Sequence, residues 1–137
     1  VTGEAAVGSI MTTELRTIDR NQSLDVADEL VSGSRIRHLP VVEDGHVVGI
    51  LSQRDLFQGA LARALGYGSV GRARMLKSIP VKEVMSEPVV TVEADTPVRE
   101  AARLMVSRKI GCLPVLERGR LVGLVTESDV VRHAYPA

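Results

Sequence analysis

Two stretches of this chain superimpose without a gap. Laying Ile10–Phe57 over Val84–Val131, an offset of 74 positions, brings thirteen identical residues into register. They include Met11/Met85, Thr17/Thr91, Ala27/Ala101, Ile36/Ile110 and Asp55/Asp129. The match is densest at Leu39-Pro40-Val41 and Leu113-Pro114-Val115. Proline and glycine are the strongest local punctuators of backbone structure, and here Pro40/Pro114, Gly45/Gly119 and Gly49/Gly123 all coincide. One structural unit is therefore written twice, and any fold proposed for the chain has to accommodate both copies.

Within each copy the pattern reads β-α-β-β-α. A short strand, Arg16–Asp19 or Val89–Glu93, precedes a helix whose apolar residues share one face: Leu24, Ala27, Leu30 and Val31, then Val98, Ala101, Leu104 and Met105. Thr96-Pro97 predicts a helix start with Thr at the N-cap and Pro at the first helical position, and Ser23 is expected to cap the first copy. Two strands follow, Leu39–Glu43 and His46–Leu51, joined through Asp44-Gly45, a pair suited to the positive φ angles of a tight hairpin. Arg118-Gly119 serves the second copy with weaker turn chemistry. Ser52 and Thr126 then open a second helix, and a right-handed crossover is expected between the first two strands.

The hairpin strands are apolar nearly throughout: Val47, Val48, Ile50 and Leu51, then Leu121, Val122, Leu124 and Val125. Continuous runs imply burial on both faces. A unit of about 60 residues has a marginal core and helices for only one face of its sheet. The expected fold is α/β (α+β), two pseudo-symmetric β-α-β-β-α repeats packed sheet to sheet, with repeat 1 at 7–66, a linker at 67–79 and repeat 2 at 80–137. Gly68, Ser69 and Gly71 mark the linker, and Arg72, Arg74 and Lys77 read as a solvated face. Leu56, Phe57, Ala60, Leu61, Ala64 and Leu65 form a wide apolar stripe, either a core face or in part a contact with another subunit.

Composition removes several functional classes. Lys+Arg and Asp+Glu both total 17, so no global field attracts a polyanion, and only Phe57, Tyr67 and Tyr135 could stack on bases. Nucleic-acid binding is disfavoured. No run approaches the 18 apolar residues of a membrane span, and residues 1–7 lack the basic start and apolar core of a signal peptide. Cys112 is the one cysteine, which rules out an internal disulfide framework and leaves a cytoplasmic location as the default. His38, His46 and His133 lack ligand spacing, so no metal site is expected. Cys112 has no evident base, so no catalytic residue is assigned. Gly66-Tyr67-Gly68-Ser69-Val70-Gly71 has glycines but neither the preceding strand nor the following Lys-Ser/Thr of a phosphate loop.

What remains is Gly49-Ile50-Leu51-Ser52-Gln53-Arg54-Asp55 and its echo, Gly123-Leu124-Val125-Thr126-Glu127-Ser128-Asp129. Ser/Thr-x-x-Asp before an apolar helix is the signature of a capping box. The same carboxylate could instead meet a ligand. With Leu-Pro-Val-Val, the glycine turn and the upstream Met11-Thr12-Thr13, the first copy resembles a cystathionine-β-synthase (CBS) domain. The second, from Val84-Met85-Ser86-Glu87-Pro88 through Leu113-Pro114-Val115 to Asp129, resembles it more closely. The likeness covers about Val7 to Ala134.

The resemblance implies a tandem pair, or Bateman module, of the stand-alone prokaryotic type, with inter-repeat clefts that take adenosine-containing ligands. It implies that the hydroxyl and Asp of each motif bind ribose, an ionised carboxylate being a suitable acceptor for two hydroxyls. One cleft would use Ser52 and Asp55 for ribose, Thr91, Thr96, Ile110, Gly111 and Cys112 around the base, and Arg37 and His38 for phosphate, Arg being suited by its donor fork. The other would use Thr126 and Asp129, with Thr17, Gln22, Ile36, Arg37 and His38 near the base. Its phosphate positions, Gly111 and Cys112, carry no charge, with Lys109 as a basic side chain that would reach in. The Ser52/Asp55 cleft is thus the expected nucleotide site.

The expected function is a non-catalytic regulatory sensor of AMP, ADP or ATP, with no cofactor beyond that ligand. It would be a homodimer through helix faces including Leu56–Leu65 and would signal to an effector protein, without nucleic-acid or membrane partners. The competing class is a ligand-free scaffold acting through protein contacts. A different adenosyl ligand (S-adenosylmethionine, NAD or a cyclic dinucleotide) is a further alternative.

Overall fold

The computed structural model describes residues 4–32, 34–54, 56, 74 and 76–136. Among them, in chain order, are β1 (Ile18–Asp19), α1 (Leu24–Val31), β2 (His38–Glu43), β3 (His46–Ser52), β4 (Val92–Glu93), α2 (Val98–Arg108), β5 (Cys112–Glu117), β6 (Arg120–Thr126) and α3 (Glu127–Ala134), with 3-10 turns at Val7–Ser9 and Val81–Glu83. Two three-stranded sheets form, β1-β2-β3 and β4-β5-β6. In each, the first strand runs parallel to the second, and the second pairs antiparallel with the third.

The sequence offset is also a backbone offset. His38 pairs with Ser52 as Cys112 pairs with Thr126, and Ile18 with Val41 as Val92 with Val115. The ladder irregularity recurs at Val41/Val42 and Val115/Leu116. The hairpin turns match too, with φ of 50° and 80° at Asp44-Gly45 and 54° and 78° at Arg118-Gly119. Two successive positive angles are what a two-residue hairpin needs to follow the strand twist. Arg118 takes this conformation without the side chain that usually favours it.

Three expectations need correction. The first strands are shorter than Arg16–Asp19 and Val89–Glu93: only Ile18–Asp19 and Val92–Glu93 pair. The next rungs would fall on Pro40 and Pro114, which have no N–H to donate. The helix start in the second copy also lies one residue later, with Pro97 at the N-cap and no side-chain bond from it. Thr96 Oγ1 instead accepts from Glu93 N at 3.1 Å. Ser23 does stand at the N-cap of α1, but it makes no side-chain cap and donates to Asp25.

Backbone carbonyls from distant chain supply what those caps do not. Val98 N donates to Ala5 O at 3.0 Å, and Leu24 N donates to Ile79 O at 2.9 Å. These satisfy donors that a helix start leaves without intrahelical partners. The same crossing segments define the compact units: Val1–Leu15 with Val90–Ala137, and Arg16–Val89. The stretch that opens each repeat is therefore built into the unit formed by the other.

Each unit has its own core. Ile18, Leu24, Ala27, Leu39, Val41 and Leu51 pack with Leu76, Ile79, Val81 and Met85 in one; Val7 joins Val92, Ala101, Met105, Leu113, Val115 and Val125 in the other. Burying such an aliphatic side chain contributes about 1.5–3 kcal/mol, so the crossing segments are part of the core. Leu76 and Ile79, within the stretch read as a linker, are buried, while Arg74 and Lys77 are exposed as expected. Of the apolar stripe, Leu56 is buried; Phe57, Ala60, Leu61, Ala64 and Leu65 lie outside the described residues, as does Arg72.

Gly49 and Gly123 are required by close approach. A Cβ on Gly123 would stand 2.5 Å from Met11 Sδ and 3.0 Å from Thr12 O; on Gly49 it would stand 2.7 Å from Met85 Sδ and 3.0 Å from Ser86 O. Gly123→Ala is expected to cost about 1–3 kcal/mol as an overpacked site, measured by urea unfolding. In a double-mutant cycle with Met11→Ala, the two changes should couple favourably, because shortening Met11 makes room for the methyl. Additive effects would mean that Met11 is not what closes the space.

Candidate functional site

The second motif is described in full. Thr126 ends β6 and is the N-cap of α3, whose start is a complete capping box. Asp129 N donates to Thr126 Oγ1 at 3.2 Å, and Thr126 N donates to Asp129 Oδ2 at 2.9 Å. Capping was one of the two readings of this motif, and here it is realised. The carboxylate has further partners. Arg132 Nη2 donates to Oδ1 at 2.6 Å, and Thr12 Oγ1 lies 3.2 Å from both oxygens. Asp129 is 4% exposed and is the one buried charged residue of the described set. A buried charge is costly unless paired and hydrogen-bonded, and these three donors supply both conditions.

Thr12 and Arg132 were not among the expected site residues. The signals were present: Thr12 falls on Ser86 in the repeat register, another hydroxyl after a methionine, and Arg132 lies three residues from Asp129 on one helix, within side-chain reach. Thr12 is held in place by its backbone. Its N–H donates to Leu124 O at 2.7 Å, and Leu124 N returns a bond of 2.9 Å to Thr12 O. Ser86 and Ile50 exchange the same pair of bonds, at 2.8 and 3.2 Å, in the other unit.

Cys112 sits opposite Thr126 in the β5–β6 ladder, and Gly111 O accepts from Glu127 N at 3.0 Å. The residues just upstream of Leu-Pro-Val therefore lie against the hydroxyl end of the motif. Burial, reinforced by the Asp129 charge, pushes the Cys112 thiol up from 9.0 to about 12. That suits a packing residue and disfavours a nucleophile. Lys109, exposed, caps the C-terminus of α2 at φ 55°. Ile110 packs on the core of this unit, and Thr91 and Thr96 line one open groove on its surface.

In the other unit the same frame carries different chemistry. His38 sits opposite Ser52, and Arg37 O accepts from Gln53 N at 2.8 Å. Arg37 is exposed, and its Nη1 lies 3.3 Å from Ser34 O. A basic pair thus occupies the position that Gly111 and Cys112 fill in the other unit. Ile36 is half-buried against the core, while Thr17 and Gln22 are exposed beside β1. Asp55 lies outside the described residues. Among the described residues, no group of His, Cys, Asp or Glu could hold a metal ion, and no helix is long and apolar enough to cross a membrane.

A β-α-β-β order in each described unit, with the sequence motif Gly-x-x-Ser/Thr-x-x-Asp at the end of each hairpin, defines a tandem-repeat fold. The family model described as the CBS domain matches twice, over residues 7–61 and 81–135. The chain belongs to the CBS domain family. It is 39% identical over 127 residues to a CBS domain-containing protein of Dictyostelium discoideum, covering 91% of this chain and 88% of that one. It is also 32% identical to a homoserine O-acetyltransferase of Methanohalobium evestigatum, covering 92% of this chain but 23% of the enzyme. Among solved structures, the CBS domain pair of MJ0100 in complex with 5′-methylthioadenosine and S-adenosyl-L-methionine has a TM-score of 0.77 at 29% identity, with 95% of each chain covered. CBSX2 in complex with AMP has a TM-score of 0.74 at 30% identity, with 94% of this chain and 95% of that one covered.

The buried thiol gives a direct test. With its pKa near 12, Cys112 should hold a thiolate fraction roughly a thousandfold below that of the unfolded chain at pH 8. Ellman's reagent should therefore react with it slowly in the folded protein and promptly in denaturant. The native state keeps this proton while the unfolded chain loses it, so stability should fall as pH rises from 9.0 towards 12. Rapid native-state labelling would show the thiol to be accessible and ionised.

Proposed function

We propose that the chain is a regulatory module that binds an adenosine-containing nucleotide, AMP, ADP or ATP, through its Gly-x-x-Ser/Thr-x-x-Asp motifs, without catalysing a reaction. The observation that carries this reading is the placement of the basic pair. His38 faces Ser52 across the hairpin, and the backbone of Arg37 bonds to Gln53, so a basic pair adjoins the motif whose hydroxyl would take the ribose. Two neighbours in structure, solved with AMP and with S-adenosyl-L-methionine and 5′-methylthioadenosine, support the adenosyl class. The Asp55 motif is the half suited to a phosphorylated ligand; the Asp129 motif, flanked by Gly111 and Cys112, suits an uncharged 5′ substituent. Binding regulates by favouring one of two arrangements, which requires differential affinity for them. The output passes to an effector protein, through a homodimer to which the apolar sequence stripe Leu56–Leu65 contributes.

One observation favours a second reading, the ligand-free scaffold. Asp129 is buried, and its carboxylate is already satisfied by three donors. A thermal-shift panel of AMP, ADP, ATP, NAD, S-adenosylmethionine and cyclic dinucleotides separates the two readings. A ligand at one hundred times its dissociation constant adds about 2.7 kcal/mol to the native state, equivalent to a rise of several degrees for a domain of this size. AMP, ADP or ATP should give that rise, Asp55→Ala should abolish it and Asp129→Asn should leave it. The reverse mutant pattern would interchange the two motifs, and a flat panel would support the scaffold.

A further inference from the structure

Three donors already occupy the Asp129 carboxylate. A carboxylate offers about four lone-pair directions. Here Oδ1 takes Arg132 and Thr12, and Oδ2 takes the Thr126 N–H and Thr12. A ribose diol binding to both oxygens must displace one of the three donors. The Thr126 N–H is locked into the capping box. The Arg132 contact is charge-assisted and short at 2.6 Å, the strong kind. The Thr12 hydroxyl shares one hydrogen between two oxygens at 3.2 Å each, long for O–H···O, whose usual distance is about 2.7–2.8 Å. It is the weakest donor, and it lies in the bite of the carboxylate where a bidentate ligand would lie.

We propose that Thr12 is an internal competitor for the ligand at Asp129, a hydroxyl that holds the carboxylate in the free protein and turns away when a cis-diol takes both oxygens. This rests on the reading of Asp129 as a ribose acceptor. The displacement is local. The paired bonds between Thr12 and Leu124, at 2.7 and 2.9 Å, keep the backbone in place, so the exchange needs only rotation of an exposed side chain. Affinity at this motif is then set partly by a residue from the start of the first repeat, more than a hundred positions away in sequence. The ligand class is a nucleoside with both ribose hydroxyls free.

Adenosine titrations of the whole chain, followed by NMR at the amides around Asp129, test this site by site. Thr12→Ala should tighten adenosine about fivefold, the worth of one ordinary hydrogen bond that no longer has to be broken, while lowering folding stability. Thr12→Ser, which keeps the hydroxyl, should stay near wild type in both. Opposite changes in affinity and stability are the signature of a competitor, which a purely structural residue would not give. Unchanged or weaker binding by Thr12→Ala would overturn the proposal while leaving the ribose reading standing. If adenosine causes no shifts around Asp129, or the shifts survive Asp129→Asn, the ribose reading fails and the competitor falls with it.

Discussion

Everything in the two units depends on where the crossing segments are clamped. Met11-Thr12 lies against Gly123-Leu124, and Met85-Ser86 against Gly49-Ile50, each through a reciprocal pair of backbone hydrogen bonds. The clamp needs a glycine because the methionine sulfur stands where a Cβ would be. Once set, it fixes the rest of each segment. Val7 or Val81 is buried in the core, and Ala5 or Ile79 offers a carbonyl to the first N–H of a helix. The glycine that opens each motif and the methionine that opens each repeat are therefore one structural device.

The repeat made the architecture legible. Gapless register through Leu-Pro-Val and the glycines implied one backbone twice, and the strand pairing repeats rung for rung. Periodicity found α1 and α2, because Leu24, Ala27 and Val31, like Val98, Ala101 and Met105, are buried together on one face. What could not be read locally was anything completed by distant chain. Thr96-Pro97 and Ser23 looked sufficient as caps, yet the missing acceptors are carbonyls of Ala5 and Ile79. The short first strands follow from Pro40 and Pro114, whose effect appears only once the rung opposite them is known. Segment exchange of this kind leaves no signature in hydrophobic periodicity.

The candidate site was legible in the same uneven way. Thr126 and Asp129 were identifiable from spacing, and the capping geometry that spacing implies is present. The contrast between Arg37-His38 and Gly111-Cys112 was also available from sequence, and the ladders put both pairs at equivalent places beside Ser52 and Thr126. Thr12, 117 positions from Asp129, was marked only by its register with Ser86, which does not name its partner. Only the clamp brings them together.

On the ribose reading, capping and ligand binding would compete for the same oxygens at Asp129, yet each would depend on the other. A carboxylate at 4% exposure is costly to bury without hydrogen-bonding partners. The capping box and Arg132 supply those partners. They also fix its orientation before any ligand arrives, lowering the ordering cost of binding. On that reading the cap is also the frame of the site; on the scaffold reading the same three donors complete its role. What distinguishes a working site from a mere cap is a donor weak enough to yield. On the ribose reading, Thr12, at 3.2 Å from both oxygens, would be that donor in this unit.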